Sequence, residues 1–270
     1  MPELPEVETS RRGIAPHIEG CELQQVIVRN AHLRWPVPTE ELRALQGLEL
    51  QQVSRRGKYL RLHFATGYIL IHLGMSGSVR IVTAQQPAAK HDHLDLIFAN
   101  GNILRLNDPR RFGCCLFQAD DEEHALLQSL GPEPLSETFN ADYLFRRSQG
   151  KSQAVKAFIM DSHEVVGVGN IYASESLFRA GIHPKRAAGR ISQPRYEKLV
   201  TAIKTVLAEA IEQGGTTLRD FVGSDGKPGY FKQELQVYGR EGEDCPHCGN
   251  PVKRITLGQR STFYCGQCQK

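Results

Sequence analysis

The start of the chain brings together an amine and a carboxyl group that suit covalent catalysis. Removal of Met1 would leave Pro2 as the terminal residue. An α-amino group titrates at about pH 8, so part of it is unprotonated and nucleophilic near neutral pH. Glu3 supplies a neighbouring acid, while Pro5 and Glu6 suit the first turn of a helix. The pattern predicts a nucleophile and an acid at a helix start; the alternative is an ordinary polar leader before a helix.

Four cysteines near the end of the chain have the spacing of a metal site. Two Cys-x2-Cys pairs, Cys245 with Cys248 and Cys265 with Cys268, are separated by sixteen residues. Four thiolates complete a tetrahedral zinc shell with no open position, so the spacing predicts one structural zinc ion rather than a catalytic one. His247 lies inside the first pair and is the alternative to one of the cysteine ligands.

The segment between the cysteine pairs predicts a hairpin with an arginine at its tip. Residues 252–256 and 261–264 have the composition of strands, and Arg260 lies in the turn between them. A metal-held hairpin of this size has too little core to exist for its own sake. Arginine binds phosphate through paired hydrogen bonds, so a phosphate contact is one interpretation. A protein–protein contact is the other, and the sequence leaves both open.

Two glycine-bounded turns carry apolar side chains beside arginine. Met75 lies between two glycines in the segment 73–78, and the segment 108–113 presents Arg110, Arg111 and Phe112. Apolar wedges accompanied by arginine are what proteins insert when they unstack a DNA duplex. Taken singly, each residue also fits a buried loop position or a solvated charge.

Three further segments have weaker signals. The turn 167–170 offers backbone amides at a helix start, which form an anion site or simply a tight turn. The segment 90–93 contains two histidines and an aspartate without a complete ligand set, and a polar strand entry is favoured over a metal site. The basic segment 55–58 has the character of a solvated strand end, unless an amine and a phosphate lie nearby.

Composition describes a globular protein without a membrane span. The 270 residues are 40% hydrophobic and 23% charged, and no apolar run approaches the ~20 residues that a spanning helix needs. The start lacks the features of a signal peptide, and the odd number of cysteines, seven, favours a reducing compartment. We therefore expect a cytoplasmic protein, in which Cys21, Cys114 and Cys115 are packing residues. The net charge of +3 alone does not identify a polyanionic partner.

The order of elements predicts an α+β protein. One leading helix is followed by strands, and a boundary falls at Gly131–Pro134, after which the pattern is helical. An apolar repeat of 3.6 residues from Tyr196 to Ile211 predicts a long helix, and shorter helices are predicted at 155–160 and 171–180. The predicted strands are 22–29, 48–56, 59–64, 68–72, 78–82, 93–98, 103–106 and 114–118.

Taken together, these motifs resemble the formamidopyrimidine-DNA glycosylase family, bacterial enzymes that excise oxidised purines. The match covers nearly the whole chain, through segments 2–8, 72–78, 108–113, 165–178, 214–239 and the terminal hairpin. The resemblance implies an N-terminal β-sandwich with flanking helices, a helix-two-turn-helix domain and a zinc β-hairpin. The implied domains are residues 1–132, 133–240 and 241–270. It also implies damaged double-stranded DNA as partner, no organic cofactor, no membrane, and a nucleoid-associated monomer.

The resemblance also assigns roles to individual residues. Pro2 is implied as the nucleophile, and Glu3 as the acid that assists base departure and sugar-ring opening. Lys58 is implied as a phosphate-proximal amine that assists elimination, and Arg260 as the residue that grips phosphate by the lesion and serves δ-elimination. The implied DNA contacts are His91, Arg110, Lys151 and Asn170. The residues implied to fill the gap left by a flipped nucleotide are Met75, Arg110 and Phe112. A lesion-covering loop is implied near Arg219.

The function implied is therefore excision of 8-oxoguanine and formamidopyrimidines through a proline Schiff base, followed by strand cleavage by β,δ-elimination. Three alternatives remain. A sister group of glycosylases removes oxidised pyrimidines and shares the N-terminal proline, the glutamate and the zinc hairpin. A nonenzymatic zinc-ribbon DNA-binding protein would explain the cysteines and leave Pro2 and Glu3 without a purpose. A tautomerase would use an N-terminal proline as a general base but needs no zinc hairpin.

Overall fold

The computed structural model describes residues 2–119, 122–214 and 235–270. These residues form two compact units, one of described residues up to 128 with 213–214, and the other of residues 129–212 with 235–270. Among the described residues, none of the helices combines the length and apolar character needed to cross a bilayer. The α+β class predicted from the sequence is confirmed.

The first unit is built from two antiparallel sheets and a leading helix. Its helices are α1 (Leu4–Ile18), α2 (Thr39–Arg43) and α3 (Ala125–Gln128). Its strands are β1 (Cys21–Val28), β2 (Glu49–Leu50), β3 (Gln52–Arg56), β4 (Tyr59–Phe64), β5 (Gly67–His72), β6 (Ser78–Val82), β7 (Asp92–Phe98), β8 (Ile103–Asn107) and β9 (Cys114–Ala119). The sheets have the orders β2-β1-β7-β8-β6 and β3-β4-β5-β9.

One apolar core joins the two sheets and α1. Alternate residues of β4 are buried, as expected for a strand with one face on the core. The core takes Leu60 and Leu62 from one sheet, Leu94 and Leu104 from the other, and Ile14 from α1. The sandwich predicted for this half of the chain is thereby confirmed.

The prediction of a single helix in the first 132 residues was wrong. The short helices α2 and α3 were missed because each spans only about one turn, too few residues for a periodic apolar pattern to emerge. The predicted strand 48–56 is also interrupted, since β2 and β3 pair with different sheets on either side of Gln51.

The second unit is helical with a terminal strand pair. Its elements are α4 (Ala141–Ser148), α5 (Val155–Ile159), α6 (Asn170–Arg179), a 3₁₀ turn (Ala188–Arg190), α7 (Gln193–Glu212), β10 (Lys253–Leu257) and β11 (Arg260–Tyr264). The apolar face predicted for α7 is buried along its length. Helix α4 was missed, although Asn140 caps it by accepting a hydrogen bond from the Tyr143 amide at 2.9 Å.

The cysteines outside the zinc motif differ in burial. Cys114 and Cys115 lie on β9 and are 1% and 0% exposed, whereas Cys21 is partly exposed at the start of β1. Burial raises the pKa of Cys114 to about 11 and raises that of Cys115 as well. The packing role expected for Cys114 and Cys115 fits this environment.

Helix α1 is fastened to β3 by a cluster of charges around Glu8. The Glu8 carboxylate accepts hydrogen bonds from Arg11 at 2.8 Å, Arg12 at 2.9 Å and Arg55 at 3.1 Å. Burial alone would raise the pKa of Glu8, but the hydrogen bonds from Arg11 and Arg12 and the charges of Arg11 and Arg55 lower it to about 2. The folded state therefore holds this carboxylate in its charged form.

We predict that Glu8→Gln lowers the free energy of unfolding at pH 7 by about 2 kcal/mol. The pKa of Glu8 is lower in the folded state than in the unfolded chain, so the charged carboxylate stabilises the fold when the pH is above the unfolded pKa. Its contribution is present above the ordinary pKa of 4.5 and is lost as the pH falls through about 2. Urea unfolding of both proteins between pH 7 and pH 2 should show their difference shrinking below pH 4.5. A difference that stays constant over this range would contradict the role assigned to the charge.

Candidate active site and metal centre

Pro2 and Glu3 lie at the buried start of α1. Both residues are buried, and Glu3 has extended backbone at the N-cap position. The Glu3 amide donates a hydrogen bond of 2.8 Å to the Glu6 carboxylate, which is the reciprocal bond of a capping box. This bond satisfies a terminal amide and fixes the direction in which the chain enters the helix. Pro2 and Glu3 therefore lie at a helix start, and their roles as nucleophile and acid stay predictions.

Arg55 connects this helix to the turn that carries Lys58. Its guanidinium donates to Glu8 on α1 at 3.1 Å and to the Gly57 carbonyl at 2.8 Å. Gly57 has a φ of 56°, a left-handed conformation that tightens the turn between β3 and β4. One side chain thus fixes the start of α1 and the Lys58 turn in the same unit.

His72, at the end of β5, adjoins the same turn and was not singled out from the sequence. It pairs with Tyr59 in the β4–β5 register, and the two rings lie 4.8 Å apart. Burial, with added repulsion from Lys58 and Arg34, lowers the pKa of His72 to about 4. The Gly74 amide donates to His72 Nδ1 at 3.0 Å, which a neutral ring accepts. His72 therefore links the Lys58 turn to the segment that presents Met75.

The two segments that carry the predicted wedge residues, 73–78 and 108–113, approach each other backbone to backbone. A Cβ atom at Gly74 would lie 2.4 Å from the Gly113 nitrogen, and one at Gly113 would lie 2.6 Å from the His72 carbonyl oxygen. Arg110 donates to the Met75 carbonyl at 2.9 Å. Met75, 39% exposed, and Phe112, 50% exposed, are carried by these two neighbouring segments, and their wedge role stays a prediction.

Asp108 organises both segments and was not identified from the sequence. Its buried carboxylate accepts from the Ser76 hydroxyl at 3.1 Å, the Arg110 amide at 3.3 Å and the Gly113 amide at 2.8 Å. The Asp108 amide donates to the His91 carbonyl at 3.0 Å. Segments 73–78 and 108–113 and the backbone of His91 are consequently all held by Asp108. In the sequence, the only indication of this role was that Asp108 lies in the segment 108–113.

A lysine–asparagine cluster joins α5, α6 and the hairpin in the second unit. Lys156 is 2% exposed, and its ammonium group donates to Asn170 Oδ1 at 2.6 Å and to Thr262 Oγ1 at 2.8 Å. Asn170 in turn donates to the Ser261 carbonyl at 3.0 Å and to the Tyr238 hydroxyl at 3.3 Å. Asn170 therefore ties the helix start to β11, beside Arg260.

Arg260 and Lys151 occupy exposed positions in this unit. Arg260 follows Gly258 and Gln259, which have φ values of 52° and 62° and close the hairpin turn. Lys151 lies in the turn between α4 and α5, with its ammonium group 3.8 Å from the buried Glu164 carboxylate. Their positions leave both cations facing solvent, where a phosphate could reach them.

The four cysteines of the two pairs form a metal-binding cluster. Their sulfur atoms all lie within 4.8 Å of one another, and within the part of the chain that the structure describes this is the group of His, Cys, Asp or Glu with metal-site geometry. Four sulfur donors suit zinc. The His247 ring packs 4.6 Å from Phe178, which accounts for it without a metal. In the 90–93 segment, Asp92 is instead bonded to Arg80 and Asn107.

Comparison with known proteins decides the family. Three family models match the chain: the formamidopyrimidine-DNA glycosylase N-terminal domain over residues 1–115, its H2TH domain over 130–222, and a zinc finger found in FPG and IleRS over 242–270. The chain belongs to the formamidopyrimidine-DNA glycosylase family. Members of this family are DNA glycosylases and abasic-site lyases, so the chain is an enzyme, and its cysteine cluster is a zinc-binding site.

Individual relatives agree over their full lengths. The formamidopyrimidine-DNA glycosylase of Marinobacter nauticus is 60% identical over 270 residues, covering all of both chains. The Lactococcus lactis Fpg bound to DNA containing an abasic site is 33% identical with a TM-score of 0.91, covering 99% of both chains. The same protein bound to Fapy-dG-containing DNA has 33% identity and a TM-score of 0.90, covering 99% of this chain and 100% of that one.

Family membership removes two alternatives and leaves the residue roles as predictions. A formamidopyrimidine-DNA glycosylase is neither a tautomerase nor a nonenzymatic zinc ribbon, and full-length identity of 60% favours it over the sister group for pyrimidines. The lesion-covering loop expected near Arg219 lies outside the described residues. The domain boundaries at 132/133 and 240/241 stay predictions.

We predict that Gly74→Ala destabilises the wedge beyond the ordinary cost of a left-handed alanine, which is about 1–2 kcal/mol. The added Cβ would collide with the Gly113 and Phe112 backbone, which has no flexible end to move aside. Gly101→Ala is the matched control, because Gly101 has a φ of 82° with nothing within 4 Å of the added atom. Urea unfolding should rank Gly74→Ala as the less stable variant; equal losses would contradict the close approach.

We predict that Cys265→Ser lowers zinc content and DNA binding together, because three thiolates and a hydroxyl hold zinc less well. The same loss is expected at the other three positions, while Cys21→Ser should keep full zinc content as a control. Metal analysis by mass spectrometry measures the content, and circular dichroism reports whether the β-sandwich stays folded. Full zinc in the Cys265→Ser protein would contradict the ligand assignment.

Proposed function

We propose that this enzyme excises oxidised purines, namely 8-oxoguanine and formamidopyrimidines, from double-stranded DNA and then cleaves the strand. The observation that carries the proposal is the pairing of Pro2 and Glu3 at a buried helix start, joined through Arg55 to the Lys58 turn. Two solved structures of one relative, the Lactococcus lactis Fpg bound to DNA containing Fapy-dG or an abasic site, support the substrate class. Such a substrate implies association with the nucleoid.

The proposed chemistry begins with the terminal amine. The Pro2 nitrogen forms a bond to the deoxyribose C1′ while the bond from C1′ to the base breaks, and the base leaves with that electron pair and takes up the proton that the attacking amine gives up. Glu3 supplies a proton to the sugar ring oxygen, the ring opens, and the amine and C1′ become an iminium ion. This ion acidifies the C2′ protons. Loss of one proton expels the 3′ phosphate, a second elimination expels the 5′ phosphate, and water releases the sugar fragment from Pro2.

Lys58 and Arg260 are proposed to assist elimination by contacting the phosphates that leave. An ammonium or guanidinium group near a departing phosphate stabilises its developing charge. Because the amine needs no metal for its chemistry, the zinc is proposed to hold the hairpin that carries Arg260. The further DNA contacts proposed are His91, Lys151 and Asn170.

Met75, Arg110 and Phe112 are proposed to fill the space of the flipped nucleotide. A base must leave the stack before its glycosidic bond can be reached, and the few kcal/mol lost in unstacking are offset when side chains fill the gap. The exposure of Met75 and Phe112 and the bond from Arg110 to the Met75 carbonyl support this role.

We predict that a blocked N-terminus abolishes activity, because an amide nitrogen has no lone pair available for attack. A protein with an uncleaved N-terminal tag should release no base and should give no covalent complex with abasic DNA after borohydride reduction. Glu3→Gln is the companion variant: it should lose base excision strongly and retain more cleavage of ready-made abasic sites. A tagged protein with full activity would disprove the Schiff base.

We predict that Arg110→Ala loses much of a preference for cytosine over adenine opposite the lesion. Cytosine offers the acceptors O2 and N3, which suit a guanidinium that only donates, whereas adenine presents an amino donor. A paired contact of this kind is worth about 1–3 kcal/mol. Phe112→Ala is the control and should slow both substrates equally. Single-turnover excision of 8-oxoguanine opposite cytosine and opposite adenine measures the ratio of the two rates. If Arg110→Ala keeps the wild-type ratio, the opposite base is read by other residues.

A further inference from the structure

The loop that joins β6 to β7, residues 83–91, ends at His91 and has no apolar anchor of its own. Residues 83–90 are all exposed, and the loop's internal bond runs from the Gln86 amide to the Thr83 carbonyl at 3.0 Å. Hydrophobic burial therefore contributes little to the position of this loop. The position of the loop must come from polar contacts.

Arg105 on β8 supplies two of those contacts from inside the sheet. The residue is 3% exposed, and its Nη1 atom donates to the Gln86 carbonyl at 2.9 Å and to the Pro87 carbonyl at 3.1 Å. Its Nε and Nη2 atoms donate to the two oxygens of Asp95 at 2.8 and 2.9 Å. The paired bond to Asp95 fixes the plane of the guanidinium, so that Nη1 is aimed at the loop.

Asp92 adds a third anchor on the same loop. Its carboxylate, 1% exposed, accepts from the Ala89 amide at 2.7 Å. Arg80 donates to both of its oxygens at 2.8 Å, and Asn107 donates at 2.8 Å. Opposite charges and full hydrogen bonding keep this buried carboxylate in place. Three backbone groups of the loop are therefore bonded to buried ionic side chains of the sheet.

These anchors lie directly before His91. The His91 carbonyl is held from the other side by the Asp108 amide at 3.0 Å, and its ring lies 6.3 Å from that of His93. His91 thus stands between the anchored loop and the aspartate that organises the wedge. Release of residues 86–89 would free the chain on one side of His91.

We propose that Arg105 is a positioning residue for DNA binding, which holds the 83–91 loop so that His91 meets the DNA. The proposal rests on the proposed role of His91 as a DNA contact. Lysine at position 105 would keep the positive charge that Asp95 and Asp92 need, but its single ammonium group cannot serve Asp95 and two carbonyls at once. Arg105→Lys therefore separates loop positioning from neutralisation of the buried acids.

The test compares Arg105→Lys with Arg29→Lys. Arg29 bonds to the same Asp95 at 2.6 Å from the other side and bonds to strand residues rather than to the 83–91 loop. We expect Arg105→Lys to weaken binding of lesion DNA about five- to tenfold, the net worth of one ordinary hydrogen bond, because His91 loses its place against the DNA. Arg29→Lys should bind as the wild type does, and the single-turnover rate at saturating enzyme should be unchanged in both variants.

The double variant Arg105→Lys/His91→Ala adds the decisive comparison. If Arg105 acts through His91, the double variant binds no more weakly than His91→Ala alone. Additive losses, or equal losses in Arg105→Lys and Arg29→Lys, would overturn the proposal. An unchanged affinity in His91→Ala would instead refute the proposed contact of His91 itself.

Hydrogen exchange of the wild-type protein tests whether the 83–91 loop is anchored to the sheet. This measurement does not depend on whether a variant folds. The Ala89 amide is bonded to buried Asp92 and should exchange slowly, in contrast to the amides of exposed neighbours without such a bond. The Arg105→Lys variant should show faster exchange at this amide, while Arg29→Lys should not. Fast exchange of Ala89 in the wild type would overturn the proposal.

Discussion

The ion pair between Glu8 and Arg55 fixes the geometry of the first unit where the start of α1 meets the Lys58 turn. Glu8 lies one turn into the helix that begins after Pro2 and Glu3, and Arg55 reaches from it to the carbonyl of Gly57 beside Lys58. Pro2 and Lys58 lie in segments that are far apart in the sequence. The hydrogen bonds from Arg55 to the Glu8 carboxylate and to the Gly57 carbonyl bring these segments together, and the charge of Arg55 contributes to the lowered pKa of Glu8.

Local signals predicted the features whose geometry is set by nearby residues. The spacing of Cys245, Cys248, Cys265 and Cys268 fixed the zinc site, because each pair forms its own knuckle. The apolar period of α7 marked its buried face. The bounds of β4 follow from its alternation, and those of β6 from its flanking turns. In these cases the chain needs few distant partners to specify the structure.

Contacts between residues far apart in the sequence could not be predicted from the sequence. Arg55 meets Glu8 across 47 positions, and Arg105 meets the Gln86 carbonyl across 19. Nothing in the composition around Arg105 distinguishes it from a solvated strand arginine, since its burial follows from the register of β7 and β8. Asp108 and His72 stood inside recognised segments, but their tasks of holding two turns became visible only with the hydrogen bonds.

The burial of two adjacent thiols determines which cysteines of the protein react with oxidants. Oxidants are also the agents that create oxidised bases. Peroxides react with thiolates, and the raised pKa values of Cys114 and Cys115 keep both sulfurs protonated inside the sandwich. Cys248, by contrast, is exposed among the four metal ligands. Oxidation should therefore begin at Cys248 and release the metal, while Cys114 and Cys115 inside the sandwich stay reduced.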